Sequence, residues 1–366
     1  MKKRADTDHY LELFLNDTPL LDLRAPVEFK KGAFPNAINL PLLTDEERHL
    51  VGTCYKEQGQ ESAIQLGHEL VSGQTKAQRI QQWLTFTRAN PHGYLYCFRG
   101  GLRSRTTQQW IKDAGIEFPL IKGGYKAMRR FLIDEVEKLS QLDNFVVLSG
   151  RTGTGKTRVL KNLDNHVDLE GLAKHRGSSF GRMLEPQPSQ IDFENSVAID
   201  LLKASQKKNV PIYLEDESRL IGRCALPLPL KNRMANSPLV VLESTIEERI
   251  DVVLQDYVVD MTADFIERDG AAAGIKTFSR YLFASLDRIE RRLGSERKNS
   301  LMAIMKEALV HQQTNVGLSS FEGHRAWIKQ LLSEYYDPMY DYQLEKKAER
   351  IILRGDKERL MKELVK

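Results

Sequence analysis

Short apolar runs that stop abruptly at glycine, proline or charged residues recur along the chain, and stretches with helical spacing lie between them. Residues 19–24 read as a short buried strand ending in a charged pair, and residues 32–41 as a turn and a second strand closed by Pro41. Tyr94-Leu95-Tyr96 is a third run, which stops at Cys97, passes through Phe98-Arg99-Gly100-Gly101-Leu102-Arg103 and enters a helix from Ser104. Further strands are expected at 144–149, 210–214 and 239–243, with a strand end near His166-Val167. Helical periodicity covers 45–51, 62–72, 77–88, 131–142, part of 188–205, and 246–256. From Tyr257 onward the pattern is almost all helix, and residues 356–366 end the chain as a capped helix. Strands alternating with helices predict parallel α/β sheets.

This pattern divides the 366 residues into three segments. Residues 1–140 form a parallel-sheet domain with a helical insert at about 42–91, longer than an ordinary connection. Residues 141–256 form a central α/β domain, and residues 257–366 a mainly helical C-terminal region.

Composition narrows the class only a little. Hydrophobic residues at 41% and charged residues at 28% describe an ordinary globular protein. Neither a membrane-length apolar run nor a signal peptide after Met1-Lys2-Lys3-Arg4 is visible, so the expected location is the cytoplasm, with no membrane partner. The 54 basic and 50 acidic residues leave a net charge of only +4, which neither demands nor excludes nucleic acid. Cys54, Cys97 and Cys224 lie far apart, without metal or disulfide spacing, so no dedicated metal site is expected.

Two loops carry the chemistry. The first follows Cys97. A strand, a glycine-rich turn and a helix N-terminus aim several backbone N–H groups at one point, where an anion or a thiolate is stabilised. With Arg99, Gly100, Gly101 and Arg103 around it, Cys97 is expected to have a lowered pKa and to act as a nucleophile. Cys54, in the insert, is a candidate resolving thiol or simply a small buried residue.

The second loop is Gly150-Arg151-Thr152-Gly153-Thr154-Gly155-Lys156-Thr157, which follows an apolar run and opens a helix. It fits the pattern G-x4-GK[ST] in the strand–loop–helix context that the pattern requires, and marks a P-loop of kinase-like type. Its amides would wrap a diphosphate, Lys156 would add charge, and the Thr157 hydroxyl would reach a magnesium ion brought with the diphosphate. Glu215 and Asp216, at the end of a neighbouring strand, are candidates to hold that ion through water. His175 and Arg176, in a Gly/Ser-rich turn, are candidates for substrate positioning, Arg176 before His175. No tightly bound cofactor is expected. In the C-terminal region Arg280, Arg288, Arg291, Arg292 and Arg297-Lys298 precede a tyrosine-rich run at 335–342. Such a combination either grips single-stranded RNA or amounts to solvated helix faces over an aromatic core.

Asp22-x-Arg24, Glu28-Phe29, Gly32, Asn36-Ala37-Ile38-Asn39-Leu40-Pro41, Cys97 and Lys122-Gly123-Gly124-Tyr125 occur in the order found in the rhodanese fold, which the first third of the chain resembles. The loop departs from the usual sulfurtransferase form by being one residue longer. Cys-x5-Arg is similar to the phosphatase-like members and implies room for a phosphate group. A rhodanese-like domain joined to a P-loop domain, with Val51-Gly52-Thr53-Cys54-Tyr55-Lys56 and the run from Leu172 to Gly181, resembles the tRNA 2-selenouridine synthase family over nearly the whole chain. That resemblance implies replacement of sulfur by selenium in tRNA carrying 2-thiouridine at the wobble position. It also implies selenophosphate as donor and an S-geranylated intermediate made from geranyl diphosphate. In this picture the Cys97 loop meets selenophosphate and the P-loop meets the prenyl diphosphate. A rhodanese-like phosphatase with an accessory P-loop domain, and a nucleotide-dependent RNA-binding protein with an inert Cys97, remain as alternatives.

Overall fold

The computed structural model describes residues 4–314 and 318–365, and the chain divides into two compact units. One comprises Met1–Leu139 with Ser189–Lys203, the other Ser140–Pro188 with Ala204–Lys366.

The N-terminal unit is built on a parallel sheet of β1 (Leu20–Asp22), β2 (Ala37–Asn39) and β3 (Tyr94–Tyr96), ordered β2-β1-β3. β1 lies in the middle with Leu21 opposite both Ile38 and Leu95, and all three of its residues are buried. At its end Asp22 and Arg24 explain the charged pair seen in the sequence. Both are almost completely buried, and Arg24 Nη2 meets Asp22 Oδ2 at 2.6 Å. The Tyr96 hydroxyl donates to the same oxygen at 2.7 Å, and the Arg24 guanidinium lies 3.7 Å from the centre of the Tyr125 ring. Removing one member of such a buried pair strands the other charge, at a cost of about 3–5 kcal/mol.

The insert forms two helices rather than three short ones. The first, Asp45–Leu70, is capped by Thr44 and carries a kink at Gly59, which accounts for the interrupted periodicity. The second, Gly73–Ala89, buries Trp83 completely, with its indole N–H donating to the Leu40 carbonyl at 2.9 Å. Trp83, Leu42, Leu43, Val71, Trp110 and Cys97 share one apolar core.

The helix Gln190–Ala204 belongs by its contacts to this unit, although the sequence pattern placed it inside the central α/β segment. Asp192 Oδ1 accepts from the Ala33 amide at 2.7 Å, and Asn195 Nδ2 donates to the Ala33 carbonyl at 2.7 Å. A Cβ on Gly32 would lie 2.3 Å from the Ile191 side chain, so glycine there is what admits the helix.

The second unit has a five-stranded parallel sheet made of β4 (Phe145–Ser149), β5 (His166–Val167), β6 (Ile212–Glu215), β9 (Leu239–Leu242) and β10 (Ile351–Gly355), ordered β10-β9-β4-β6-β5. A small hairpin of β7 (Leu220–Ile221) and β8 (Cys224–Ala225) lies apart from it. β4 is central, so the loop that follows it opens at the middle of the sheet's C-terminal edge, where α/β sheets bind ligands.

The C-terminal region is mainly helical, as the pattern predicts, with one edge strand, Ile351–Gly355, returning parallel to β9. Residues 257–366 fall in the same compact unit as the P-loop. Phe265, Phe278, Leu282 and Trp327 form an apolar core there with Ile250 and Val253. The final helix, Lys357–Leu364, starts at Asp356 as expected, with Asp356 Oδ1 accepting from the Arg359 amide at 2.9 Å. Among the described residues no helix is long and apolar enough to cross a membrane.

Candidate functional sites

Cys97 directly follows β3 and is 3% exposed. The helix after its loop, Leu102–Asp113, begins two residues before the expected Ser104. The cradle is closed by the segment around Gly123-Gly124. The Tyr125 amide donates to the Cys97 carbonyl and the Lys126 amide to the Phe98 carbonyl, each at 2.9 Å. Gly124 has φ +59, and a Cβ there would lie 2.3 Å from the Cys97 oxygen and 2.5 Å from the Gly100 nitrogen. No other residue lets the two backbones meet so closely.

The two arginines are placed differently. Arg99 is exposed. Arg103, expected beside the anion, forms a fork with Glu28, with Nη1 donating to Oε2 at 2.6 Å and Nη2 to Oε1 at 3.2 Å. Burial opposes the Glu28 charge, but the hydrogen bond and charge of Arg103, with the Ala25 amide and Arg48, outweigh it and hold the carboxyl below its usual range. Arg103 therefore anchors the helix at the loop, and its contribution to an anion would be shared with Glu28. The hydroxyls of Ser104 and Thr107, on the buried face of that helix, lack hydrogen-bond partners. Cys54 is buried on the insert helix, and all three cysteines are free thiols.

In the second unit, the loop 150–157 leaves β4 and delivers Lys156 to the first position of the helix Lys156–Leu160. Gly153, at φ +81, is pressed against its neighbours, since a Cβ would lie 2.8 Å from the Arg249 carbonyl. Arg249, 1% exposed, donates to the Thr152 carbonyl at 2.8 Å and forks onto Asp337 at 2.9 and 2.5 Å. Arg151 pairs with Asp341 at 2.8 and 2.7 Å. The helix Asp337–Glu345 thus braces the loop, and Tyr340 on it lines the loop's pocket, its ring centre 5.7 Å from Lys156 Nζ. Of the tyrosines read as possible RNA contacts, Tyr336 is buried and Tyr340 half-buried in the pocket wall, while Tyr342 is exposed. The arginine row is partly spoken for. Arg288 donates to the Ser179 carbonyl at 2.6 Å, Lys298 pairs with Asp287 and Glu290 at 2.7 Å, and Arg292 lines the P-loop pocket.

That pocket measures about 500 Å³, with Lys156, Thr157, Lys161, Arg176, Glu170 and Glu217 in its wall. Lys156 Nζ donates to the Gly150 carbonyl at 2.8 Å. Arg176 enters the pocket, with its guanidinium over the Tyr257 ring at 5.4 Å. His175 lines a separate cavity with Arg182 and Arg288, and burial together with those two charges drives its pKa down to about 4, leaving it neutral near pH 7.

The acidic residues differ from expectation. Glu215 is fully buried, and it accepts from the Leu169 amide at 3.0 Å. Burial and the charge of Glu170 lift it well above the usual carboxyl range. Asp216 lines the pocket but is engaged by Ser149 Oγ at 2.7 Å and Lys347 at 2.6 Å. The carboxyl that meets the loop's Thr157 is instead Glu170, whose Oε2 accepts from Thr157 Oγ1 at 3.1 Å, with Glu217 hydrogen-bonded to Glu170. The sequence signal for Glu170 was weak, a carboxylate two residues into a turn after a two-residue strand. Glu217 lies in the acidic run, one position past Asp216. Among the described residues no group of three or more His, Cys, Asp or Glu is placed to hold a metal ion.

Burial, then the charge of Glu170, pushes the Glu217 carboxyl up from 4.5 to about 8, against the pull of Lys156. The folded chain therefore holds a proton that the unfolded chain releases across that interval. Glu217's contribution to stability is complete below 4.5 and is lost as the pH rises through about 8. Glu217→Gln should flatten the fall of melting temperature between pH 5 and 8.5. Equal slopes for variant and wild type would show that Glu217 does not hold that proton.

Comparison with known proteins agrees with both halves. A family model described as a rhodanese-like domain matches residues 7–130, and one described as the tRNA 2-selenouridine synthase AAA domain matches residues 143–366. The chain is 61% identical to the tRNA 2-selenouridine synthase of Marinobacter nauticus, over 98% of this chain and 97% of that one. It is 55% identical to that of Azotobacter vinelandii (98% and 96% covered) and 52% identical to that of Bordetella petrii (99% and 96%). A Cys97 cradle on one sheet, a P-loop at the centre of another and full-length likeness to these enzymes place the chain in the tRNA 2-selenouridine synthase family.

Proposed function

We propose that this chain replaces the sulfur of wobble 2-thiouridine in tRNA by selenium in two steps, one in each unit. In the first, the thiocarbonyl sulfur attacks C1 of geranyl diphosphate. The C–S bond forms, the C–O bond breaks, diphosphate leaves, and the proton on the base nitrogen is lost. Lys156 and the loop amides neutralise the departing diphosphate. The Thr157 hydroxyl and the Glu170 and Glu217 carboxyls are the hard oxygen donors that would hold a magnesium ion with it. Such an ion would add charge neutralisation on the leaving group. Binding it there would displace the Glu217 proton.

In the second step selenium from selenophosphate adds to C2 of the alkylated base. The C–Se bond forms, the C–S bond breaks, geranylthiol departs with the sulfur, and the P–Se bond is hydrolysed to phosphate. Alkylation is what makes sulfur a competent leaving group. Cys97, in its amide cradle, is the group that engages the selenium donor.

The observation that supports this reading is the presence in one chain of two strand–loop–helix turns, one beginning at Cys97 and the other ending at Lys156. Its test is mass spectrometry of nucleosides from 2-thiouridine tRNA incubated with the protein, geranyl diphosphate and selenophosphate, each donor omitted in turn. The expected result is a geranylated nucleoside without selenophosphate that becomes a selenonucleoside when it is added. Unchanged tRNA in every arm would overturn the reading.

A further inference from the structure

We propose that the N-terminal unit has its own binding site for the prenyl chain, an apolar cavity beside the Cys97 loop that takes the geranyl group of the alkylated base and of the thiol it releases. This rests on the two-step reading above.

The cavity, of about 370 Å³, lies between the insert helix Asp45–Leu70 and the first turns of the helix Leu102–Asp113. That volume is at the small end for ligand pockets, the range for a short chain rather than a nucleotide. Its walls include Leu42, Leu43, Ala63, Ile64, Val71 and Trp110. Four of these belong to the same apolar core as Cys97. Leu102 and Arg103 line it too, and they are the residues through which the Cys97 loop enters its helix.

The rim carries apolar surface that the fold leaves in water. Leu102 is 54% exposed and Tyr55 58%. Isolated exposed apolar residues need no explanation, but two at the mouth of an apolar cavity, one of them where the Cys97 loop enters its helix, suit a hydrocarbon ligand. The charge pattern decides which prenyl species fits. The one arginine in the wall is already forked onto Glu28, so the cavity offers a diphosphate little. Geranyl diphosphate belongs with Lys156. Once the diphosphate has gone, the chain bound to sulfur is neutral and apolar, and this cavity holds it while C2 is presented to the selenium donor.

Two measurements on the full chain test the assignment. In the first, geraniol is titrated and followed by ligand-observed NMR. Wild type should bind it, and Ala63→Phe, which fills the cavity from the insert helix, should weaken binding at least about tenfold. Equal binding by wild type and Ala63→Phe, or none by wild type, would overturn the proposal. In the second, selenophosphate is supplied with anticodon stem-loops carrying S-geranyl- or S-methyl-2-thiouridine. Wild type should prefer the geranyl substrate, and Ala63→Phe should cut the geranyl-to-methyl rate ratio at least about tenfold. An unchanged ratio would overturn the proposal. If Ala63→Phe lacks a cooperative melt, Leu102→Gln at the exposed rim replaces it in both assays, with the same direction expected. Geraniol binding that Ala63→Phe abolishes, together with no selenation of either RNA, would sink the two-step reading and leave the prenyl site standing.

Discussion

Cys97→Ser should stop selenium incorporation while leaving geranylation running, so that the S-geranyl nucleoside accumulates in place of the selenonucleoside. The substitution exchanges sulfur for oxygen in a 3% exposed position, so the packing against Leu95 and Trp110 is nearly conserved. What changes is the atom that meets the donor: a soft, polarisable sulfur gives way to a hard hydroxyl oxygen. Loss of the one group that engages the donor costs about three orders of magnitude or more in rate. The measurement is the amount of geranylated and selenated nucleoside after incubation with both donors, read by mass spectrometry. Selenation at an undiminished rate would make Cys97 a structural residue, and loss of geranylation as well would remove the division of labour between the two cradles.

Much of this arrangement could be read before the fold was known, because it is written in local chemistry. Asp22-x-Arg24 and Gly123-Gly124 are short-range necessities, one a buried ion pair at a strand end and the other a close approach of two backbones. The P-loop is likewise self-contained, since glycines at positive φ and a lysine at the helix start specify it without help from the rest of the chain. What escaped was set by distant partners. Ile351–Gly355 has the alternation of an edge strand, but five residues between two helices do not outweigh a helical region, and only pairing with β9 makes them a strand. The helix Gln190–Ala204 has ordinary amphipathic spacing, and nothing in its own residues says that Ala33 and Gly32 receive it.

The site itself shows the same limit. The loops alone single out Cys97, Arg103, Lys156 and Thr157 as candidates, but the pairing of Arg103 with Glu28 links positions 75 residues apart and cannot be inferred from the loop. Glu215 and Asp216 are acidic and adjacent to a strand end, yet one points to the Leu169 amide and the other to Ser149 and Lys347. Glu170 and Glu217 face the pocket because of where β5 and β6 end relative to each other, and that register is a property of the folded sheet.

Lys156→Ala should produce the opposite phenotype to Cys97→Ser, removing geranyl transfer while selenation of a supplied S-geranyl RNA continues. Lys156 Nζ donates to the Gly150 and Arg151 carbonyls at 2.8 and 3.3 Å, and so stands over the concave side of the loop, where it would meet a diphosphate. Negative charge grows on that diphosphate as the C–O bond breaks, so an ammonium group fixed there stabilises the transition state more than the bound substrate. Removing one such donor costs about a hundredfold to a thousandfold in rate. The shortened side chain also leaves the Glu170 and Glu217 carboxyls without the nearby positive charge that favours their ionised forms. Lys156→Arg keeps the charge, but its planar head has a different shape from the compact ammonium, so it should recover only part of the rate. Initial rates of geranylation with 2-thiouridine tRNA, compared with rates of selenation from S-geranyl RNA, measure the two steps separately. If Lys156→Ala slows both equally, the lysine supports the fold or RNA binding rather than the prenyl diphosphate. A hundredfold gap between the two rates would tie the P-loop to alkylation and leave displacement of sulfur to the Cys97 cradle.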